Sequence, residues 1–138
     1  MSCEFCDIIS GKLPCTKVYE DEDSLVIMDI ATDVDGHMVA FPKKHCFNIL
    51  DCGEESLHRL ISAVKRVSEQ CVETGGYTGV NLLNASGISA GQSVYHLHFH
   101  IVPREEGDGV DGWPHYAGAR HSIRENHERI MKGKQNGI

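Results

Sequence analysis

The sequence predicts an α+β domain with a five-stranded antiparallel sheet, one long helix and one short helix. Three strand-like runs crowd into residues 16–42 and are separated by turns too short for a crossover helix, a spacing typical of antiparallel neighbours. A long amphipathic segment follows at 54–74, and two further strand-like runs end near residue 103. Because strands and helices do not alternate, the pattern argues against a βαβ array.

The first half of the chain predicts the short helix and three strands. Phe5, Ile8 and Ile9 have helical spacing and Gly11 follows them, which predicts a helix over residues 3–10. Acidic and polar turn residues separate the next three apolar runs. These runs predict strands at 16–20, 25–30 and 37–42.

The second half predicts the long helix and the last two strands. Apolar residues recur at i, i+3, i+4 and i+7 across 54–74. Asp51, together with Glu54, is expected to cap this helix, and Gly75-Gly76 to end it. Strands are predicted at 79–84 and 94–103, joined by a loop of small residues at 85–93 that would let a ligand approach the backbone.

Length and pattern predict one compact domain followed by a tail. A chain of 138 residues is long enough to bury roughly two thirds of its unfolded surface. The patterned part predicts a domain over residues 1–115. Residues 116–138 are polar and weakly periodic, which predicts either a surface helix or a mobile tail.

Charge and cysteine content narrow the class of protein. The formal net charge of −7 argues against a nucleic-acid partner. No apolar run approaches the roughly 20 residues of a membrane span, and no basic-then-apolar leader begins the chain. We therefore expect a soluble, cytoplasmic protein without a membrane partner. In that compartment the six cysteines favour metal binding or free thiols over disulfides.

The most informative segment is residues 95–103, where three histidines occupy alternate positions between apolar residues. The alternation is typical of a half-buried strand. Leu97, Phe99 and Ile101 would enter the core, and the three imidazoles would share the other face, about 6.6 Å apart. Such a row can hold one ring as nucleophile and its neighbours as proton donors or positioning groups.

Residues 96–102 fill the pattern His-φ-His-φ-His-φ-φ, in which φ is apolar. The chain thereby resembles the histidine-triad (HIT) family, in its branch of small purine nucleoside phosphoramidases. Residues 91–95, 41–45 and 28–30 also match that branch. The resemblance implies the HIT-like α+β fold, with the sheet continued across a homodimer.

The resemblance also implies a mechanism on a purine nucleotide substrate. His98 would attack the α-phosphorus of a purine nucleoside 5′-phosphoramidate or a related mixed anhydride, and water would hydrolyse the nucleotidyl-histidine to release a nucleoside monophosphate. Which histidine donates which proton stays open. The implied catalytic residues are His98, His96, His100, His37 and Ser93. The implied nucleotide-binding residues are Asp29, Ile30, Asn84, Gly91, Gln92, Ser93, His98 and His100, of which Asp29 and Asn84 could also be turn formers.

The pair Cys3 and Cys6 raises the question of a metal. Two cysteines two residues apart can hold zinc, form a redox pair or do neither. Zinc-bearing members of the family complete the site with the histidines that match His45 and His96. The implied cofactor is thus a structural zinc ion, with Cys46 as a rival ligand.

Two features depart from the family pattern. Asp33 and Asp35 add negative charge beside a phosphate site, and Trp113 lies where the resemblance fades. Two other functions remain open: a dinucleoside polyphosphate hydrolase, which would share the nucleophile, and a nucleotide-binding regulatory protein with residual activity.

Overall fold

The computed structural model describes residues 2–132. The five strands form one antiparallel sheet in the order β1-β2-β3-β5-β4, which confirms the predicted α+β class. Whether the sheet continues across a homodimer stays a prediction. The elements are α1 (Glu4–Ile9), β1 (Lys17–Glu20), β2 (Ser24–Met28), β3 (Met38–Pro42), α2 (Glu54–Glu73), β4 (Gly79–Leu83), a 3₁₀ turn (Ile88–Ala90), β5 (Phe99–Arg104) and α3 (Ile123–Met131).

Helices cover both faces of the sheet. On one face α2 packs its apolar stripe, including Leu60 and Val64, against strand residues such as Val26 and Ile101. On the other face α1 contributes Phe5, whose ring stacks on Phe41 at a centroid distance of 4.3 Å. Strands β2 and β3 are therefore almost continuously buried, as expected for strands covered on both sides.

The histidine segment differs from its prediction in two ways. Strand β5 begins at Phe99 instead of residue 94, because Leu97 donates its amide to the Cys46 carbonyl at 2.9 Å instead of joining the ladder. Leu97 and Ile101 are buried as predicted, but His96 is fully buried as well. The face that was expected to be open is thus covered by Phe5 of α1 at His96, whereas His98 and His100 are half-buried, as is Phe99, which was expected in the core.

The predicted cap of α2 is wrong. Gly53 occupies the N-cap position and supplies no side-chain hydrogen bond. The Asp51 carboxylate instead accepts hydrogen bonds from the amides of Asn48 and Phe47, at 2.8 and 3.0 Å, and these bonds hold its pKa below the usual range. Asp51 therefore stabilises the turn before the helix instead of the helix end.

A surface helix occupies part of the tail. Ser122 caps α3, and Glu125 donates its amide to the Ser122 hydroxyl while its carboxylate accepts from the Ser122 amide. None of the residues of α3 is buried. Residues 133–138 lie outside the described part of the chain, and the domain boundary at 115 stays a prediction. Within residues 2–132, no helix is long and apolar enough to cross a membrane.

Gly36, immediately before His37, is expected to tolerate no side chain. Its φ is +77°, and an added Cβ would lie 2.5 Å from Cγ of Pro103. We expect Gly36→Ala to lower the free energy of unfolding by about 3 kcal/mol, measured by urea denaturation. Gly11→Ala is the control, because φ is +86° there and nothing lies within 4 Å of an added Cβ. Equal losses in both variants would show that steric overlap at Gly36 contributes nothing.

Candidate functional site

A cavity of about 430 Å³ opens between α1 and the sheet. Strand β2 carries Asp29 and Ile30 to it at the strand's C-terminal end, and the triad segment carries His98 and His100. Ser93 reaches the same space from the end of the small-residue loop. Five of the residues predicted for the site are therefore brought together around one cavity.

The hydrogen bond at His98 determines its tautomer. His98 Nδ1 lies 2.7 Å from the carbonyl oxygen of His96. Since a carbonyl only accepts, Nδ1 carries the proton, and in the neutral ring Nε2 keeps its lone pair. The edge of Phe5 packs against the ring at a centroid distance of 5.2 Å, which restricts its rotation. The arrangement presents a nucleophilic nitrogen in a defined orientation.

His100 and His37 form a hydrogen-bonded pair behind the cavity. His37 Nε2 lies 2.9 Å from His100 Nδ1, and His37 Nδ1 lies 2.8 Å from Oδ1 of Asp33. Burial lowers the pKa of His100, and the neighbouring His98 and His37 rings lower it further. The His98 and His100 ring centroids are 5.0 Å apart with the ring planes at 79°, closer than the strand spacing alone predicts.

Asp29 and Ile30 bring a carboxylate and an exposed apolar side chain to the cavity. Asp29 Oδ1 accepts the amide proton of Ala31 at 2.8 Å, which orients the carboxylate, and Oδ2 lies 3.5 Å from His37 Nε2. Ile30 is 91% exposed and supplies apolar surface at the cavity mouth. A fixed carboxylate beside exposed apolar surface can accept hydroxyl protons while a flat ring packs alongside.

The side chains of Gln92 and Asn84 support the site from outside the cavity. The buried Gln92 amide donates to the carbonyls of Phe47 and Val94 at 2.7 and 3.0 Å, and its oxygen accepts from the amide of Gly87 at 2.8 Å. Asn84 donates to the carbonyl of His98 at 2.9 Å. Gly91, with φ of +88°, ends the 3₁₀ turn. The nucleotide contacts predicted for these three residues stay predictions. The side-chain amides of Gln92 and Asn84 stabilise the backbone around the loop through these hydrogen bonds.

A second cluster joins α1 to the segment that precedes β5. The potential ligand atoms of Cys3, Cys6, His45 and His96 all lie within 4.8 Å of one another. His96 Nδ1 is 3.4 Å from Cys3 Sγ, 3.6 Å from Cys6 Sγ and 3.1 Å from His45 Nδ1. The structure therefore assembles the four side chains that the family resemblance implied, while Cys46 packs against the core on the α2 face.

The geometry of this cluster fits a tetrahedral zinc ion. Zinc–ligand distances of about 2.3 Å for sulfur and about 2.05 Å for nitrogen place sulfur and nitrogen ligands about 3.6 Å apart, and two nitrogens about 3.3 Å apart. His96 Nε2 donates to the Pro42 carbonyl at 2.7 Å, which leaves the Nδ1 lone pair free for a metal. Burial, followed by the neighbouring Cys3 sulfur, raises the pKa of Cys6 to about 11, and a divalent cation would oppose both effects.

His96 therefore occupies a different environment from the other two triad histidines. Its ring is fully buried, and Phe5 and Phe41 pack against it edge to face. It does not line the cavity that His98 and His100 line. Its predicted contribution to catalysis stays a prediction, whereas its place in the cysteine–histidine cluster is evident.

Sequence reasoning missed part of the cavity wall. The segment between α1 and β1 lines the cavity, and no periodicity marks it, because an irregular loop leaves no repeating pattern. The sequence pattern also did not predict the hydrogen bond between Asp33 and His37, although the four-residue spacing of the two residues allows one. The additional wall residues include Glu4, Phe5, Ile8, Leu13, Pro14 and Cys15.

Comparison with known proteins identifies the family. The HIT domain matches residues 10–107. Adenosine 5′-monophosphoramidase from Schizosaccharomyces pombe is 40% identical over 119 residues, which cover 84% of this chain and 86% of that protein. A HIT family protein from Bacillus anthracis has a TM-score of 0.83 at 33% identity, covering 99% of this chain and 97% of its own. A Zn-bound histidine triad family protein from Mycobacterium smegmatis has a TM-score of 0.76 at 33% identity, covering 95% and 91%. Because these matches cover most of its length, the chain belongs to the HIT family.

Proposed function

We propose that the protein hydrolyses purine nucleoside 5′-phosphoramidates and related mixed anhydrides at the α-phosphorus and releases a nucleoside monophosphate. The observation that carries the proposal is the geometry of His98. Its Nδ1 proton is engaged by the His96 carbonyl at 2.7 Å, so that the Nε2 lone pair is available beside a cavity of about 430 Å³. That volume suits a small-molecule ligand.

The proposed reaction has two displacements at phosphorus. His98 Nε2 forms a bond to the α-phosphorus, the bond to the leaving nitrogen breaks, and the departing amine takes a proton from Ser93 or a neighbouring histidine. A water molecule then attacks the same phosphorus, returns a proton to the group that protonated the amine, and breaks the bond to Nε2, which restores neutral His98. Splitting the hydrolysis in this way is the advantage of a covalent nucleophile.

The walls of the cavity support the proposed substrate class. The Asp29 carboxylate, oriented by the Ala31 amide, would accept hydrogen bonds from the two ribose hydroxyls, and Ile30, 91% exposed, would pack against the base. The S. pombe relative is named for cleavage of an adenosine 5′-monophosphoramidate, which supports the same leaving group here.

Zinc is proposed as a structural cofactor held by Cys3, Cys6, His45 and His96. These residues would tie α1 to the segment that precedes β5, and α1 contributes Phe5 to the cavity wall. A zinc ion with four protein ligands has no open position, so it would supply stability and not chemistry.

The test compares two substrates and looks for the covalent intermediate. We expect AMP release from adenosine 5′-phosphoramidate, with the mass of one adenylyl group appearing on the peptide that contains His98 after alkaline quenching. Preferred cleavage of diadenosine tetraphosphate would favour the dinucleoside polyphosphate hydrolase instead. Nucleotide binding without cleavage of either compound would contradict an enzymatic role and favour the regulatory protein.

Replacement of Asp29 by asparagine is expected to raise KM for adenosine 5′-phosphoramidate by about 30-fold, because hydrogen bonds to a charged acceptor contribute roughly 2 kcal/mol. Steady-state kinetics with the matching 2′,3′-dideoxy substrate provide the control, since that compound lacks both hydroxyls. A similar loss with both substrates would show that Asp29 does not act through the ribose.

A further inference from the structure

A continuous hydrogen-bonded chain runs from the protein surface to the cavity. The Asp33 side chain is 61% exposed and bonds the His37 ring, which is only 10% exposed and bonds His100 in turn, at 2.8 and 2.9 Å. His100 lines the cavity, whereas Asp33 and His37 do not. They line a neighbouring cavity instead.

These hydrogen bonds limit how protons are arranged on the two rings at each of two protonation levels. The Asp33 carboxylate accepts from His37 Nδ1, so that proton is always present on His37. In the neutral pair, His100 Nδ1 donates to His37 Nε2, and His100 Nε2 is then a lone pair that cannot donate to a phosphate. With one additional proton, a single proton still lies between His37 Nε2 and His100 Nδ1, on either nitrogen, and His100 Nε2 then carries a proton as well.

We propose that Asp33 is a positioning residue whose negative charge enables the His37–His100 pair to take up one proton when a nucleotide phosphate binds. The proton comes from solvent and changes His100 from an acceptor into a donor toward a phosphate oxygen. The inference rests on the proposed function, since it takes the anion in the cavity to be the α-phosphate of a nucleotide.

The charges around the pair agree with uptake on binding. Burial and the rings of His98 and His37 lower the pKa of His100, whereas the carboxylates of Asp29 and Asp33 oppose that shift. The bond from His37 lowers the pKa of Asp33, so Asp33 is ionised at neutral pH. The net effect lowers the pKa of His100, and an anion bound beside His100 would oppose it by favouring the charged form.

Calorimetric titration with adenosine 5′-(methyl phosphate) tests the proposal, because its phosphodiester charge does not titrate near neutral pH and methoxide leaves poorly. Heats measured at pH 8 in two buffers of different ionisation enthalpy give the number of protons taken up. We expect about one proton per site in the wild type, with affinity falling about tenfold per pH unit where uptake is complete. Asp33→Asn keeps a side-chain oxygen but removes the charge. This variant should take up far less than one proton per site on binding.

Two further variants separate a specific from a general effect of charge. Asp35→Asn removes the same charge from an exposed position on the same turn and should behave as the wild type, and Asp33→Glu should restore most of the uptake. Equal uptake in Asp33→Asn and the wild type would overturn the role of Asp33. Binding to the wild type without uptake, in a protein that still cleaves the phosphoramidate, would overturn the inference alone. No binding, together with no cleavage, would overturn the proposed function as well.

Discussion

Replacing His98 with alanine is expected to reduce turnover of adenosine 5′-phosphoramidate by about 10⁴-fold, because the covalent step loses its nucleophile. Affinity for AMP should change little, since Asp29, Ile30 and Ser93 still line the cavity. Single-turnover AMP release measures the first effect, and equilibrium titration of AMP measures the second.

His58→Ala is the matched control, because His58 is an exposed residue of α2, which packs on the opposite face of the sheet. It should retain the activity of the wild type. A loss of less than tenfold in His98→Ala would rule out His98 as the nucleophile. A loss of AMP affinity parallel to the loss of turnover would point to a damaged site instead.

Replacing Cys6 with serine is expected to abolish tight zinc binding and to have the largest effect on stability. A ligand present at 1,000 times its Kd stabilises the folded state by about 4 kcal/mol, which for a chain of this length corresponds to about 10 °C in Tm. We therefore expect zinc to raise the Tm of the chelator-treated wild type by about that amount, and to leave Cys6→Ser unchanged. Calorimetry measures both.

Cys15→Ser is the control for metal binding, because Cys15 is an exposed cysteine outside the cysteine–histidine cluster. It should bind one cobalt ion per chain with the visible spectrum of a tetrahedral thiolate site, as the wild type should. If chelation leaves the Tm of the wild type unchanged, zinc is not a structural cofactor of this protein.

Local pattern was a good guide wherever the local signal and the tertiary contacts agree. The helical spacing of Phe5, Ile8 and Ile9 predicted α1, and the apolar stripe of 54–74 predicted α2 almost to the residue. Pattern failed at Asp51, because the same carboxylate can accept hydrogen bonds either from a helix end or from a preceding turn, and here it accepts from the turn amides of Phe47 and Asn48.

In the histidine segment, local pattern likewise predicted some features correctly and missed others that depend on tertiary packing. Alternation correctly placed Leu97 and Ile101 in the core, but it treated the three histidines as equivalent. His96 is enclosed by Phe41 and Pro42 of β3 and by two cysteines, Cys3 at the start of α1 and Cys6 within it. These contacts separate His96 from the other two histidines. That separation arises from packing across the sheet, which no period within one segment encodes.

By itself, the sequence determined the α+β class, the family resemblance and the residue types of the candidate site, since these depend on local periodicity and on a contiguous motif. Only the tertiary structure decided which side chains meet. It placed His45 in the cysteine–histidine cluster and Cys46 in the core, and it bonded Asp33 to His37. Hydrogen bonds and metal coordination require donor and acceptor atoms within about 3 to 4 Å, and only folding brings residues that lie up to 93 positions apart to such distances.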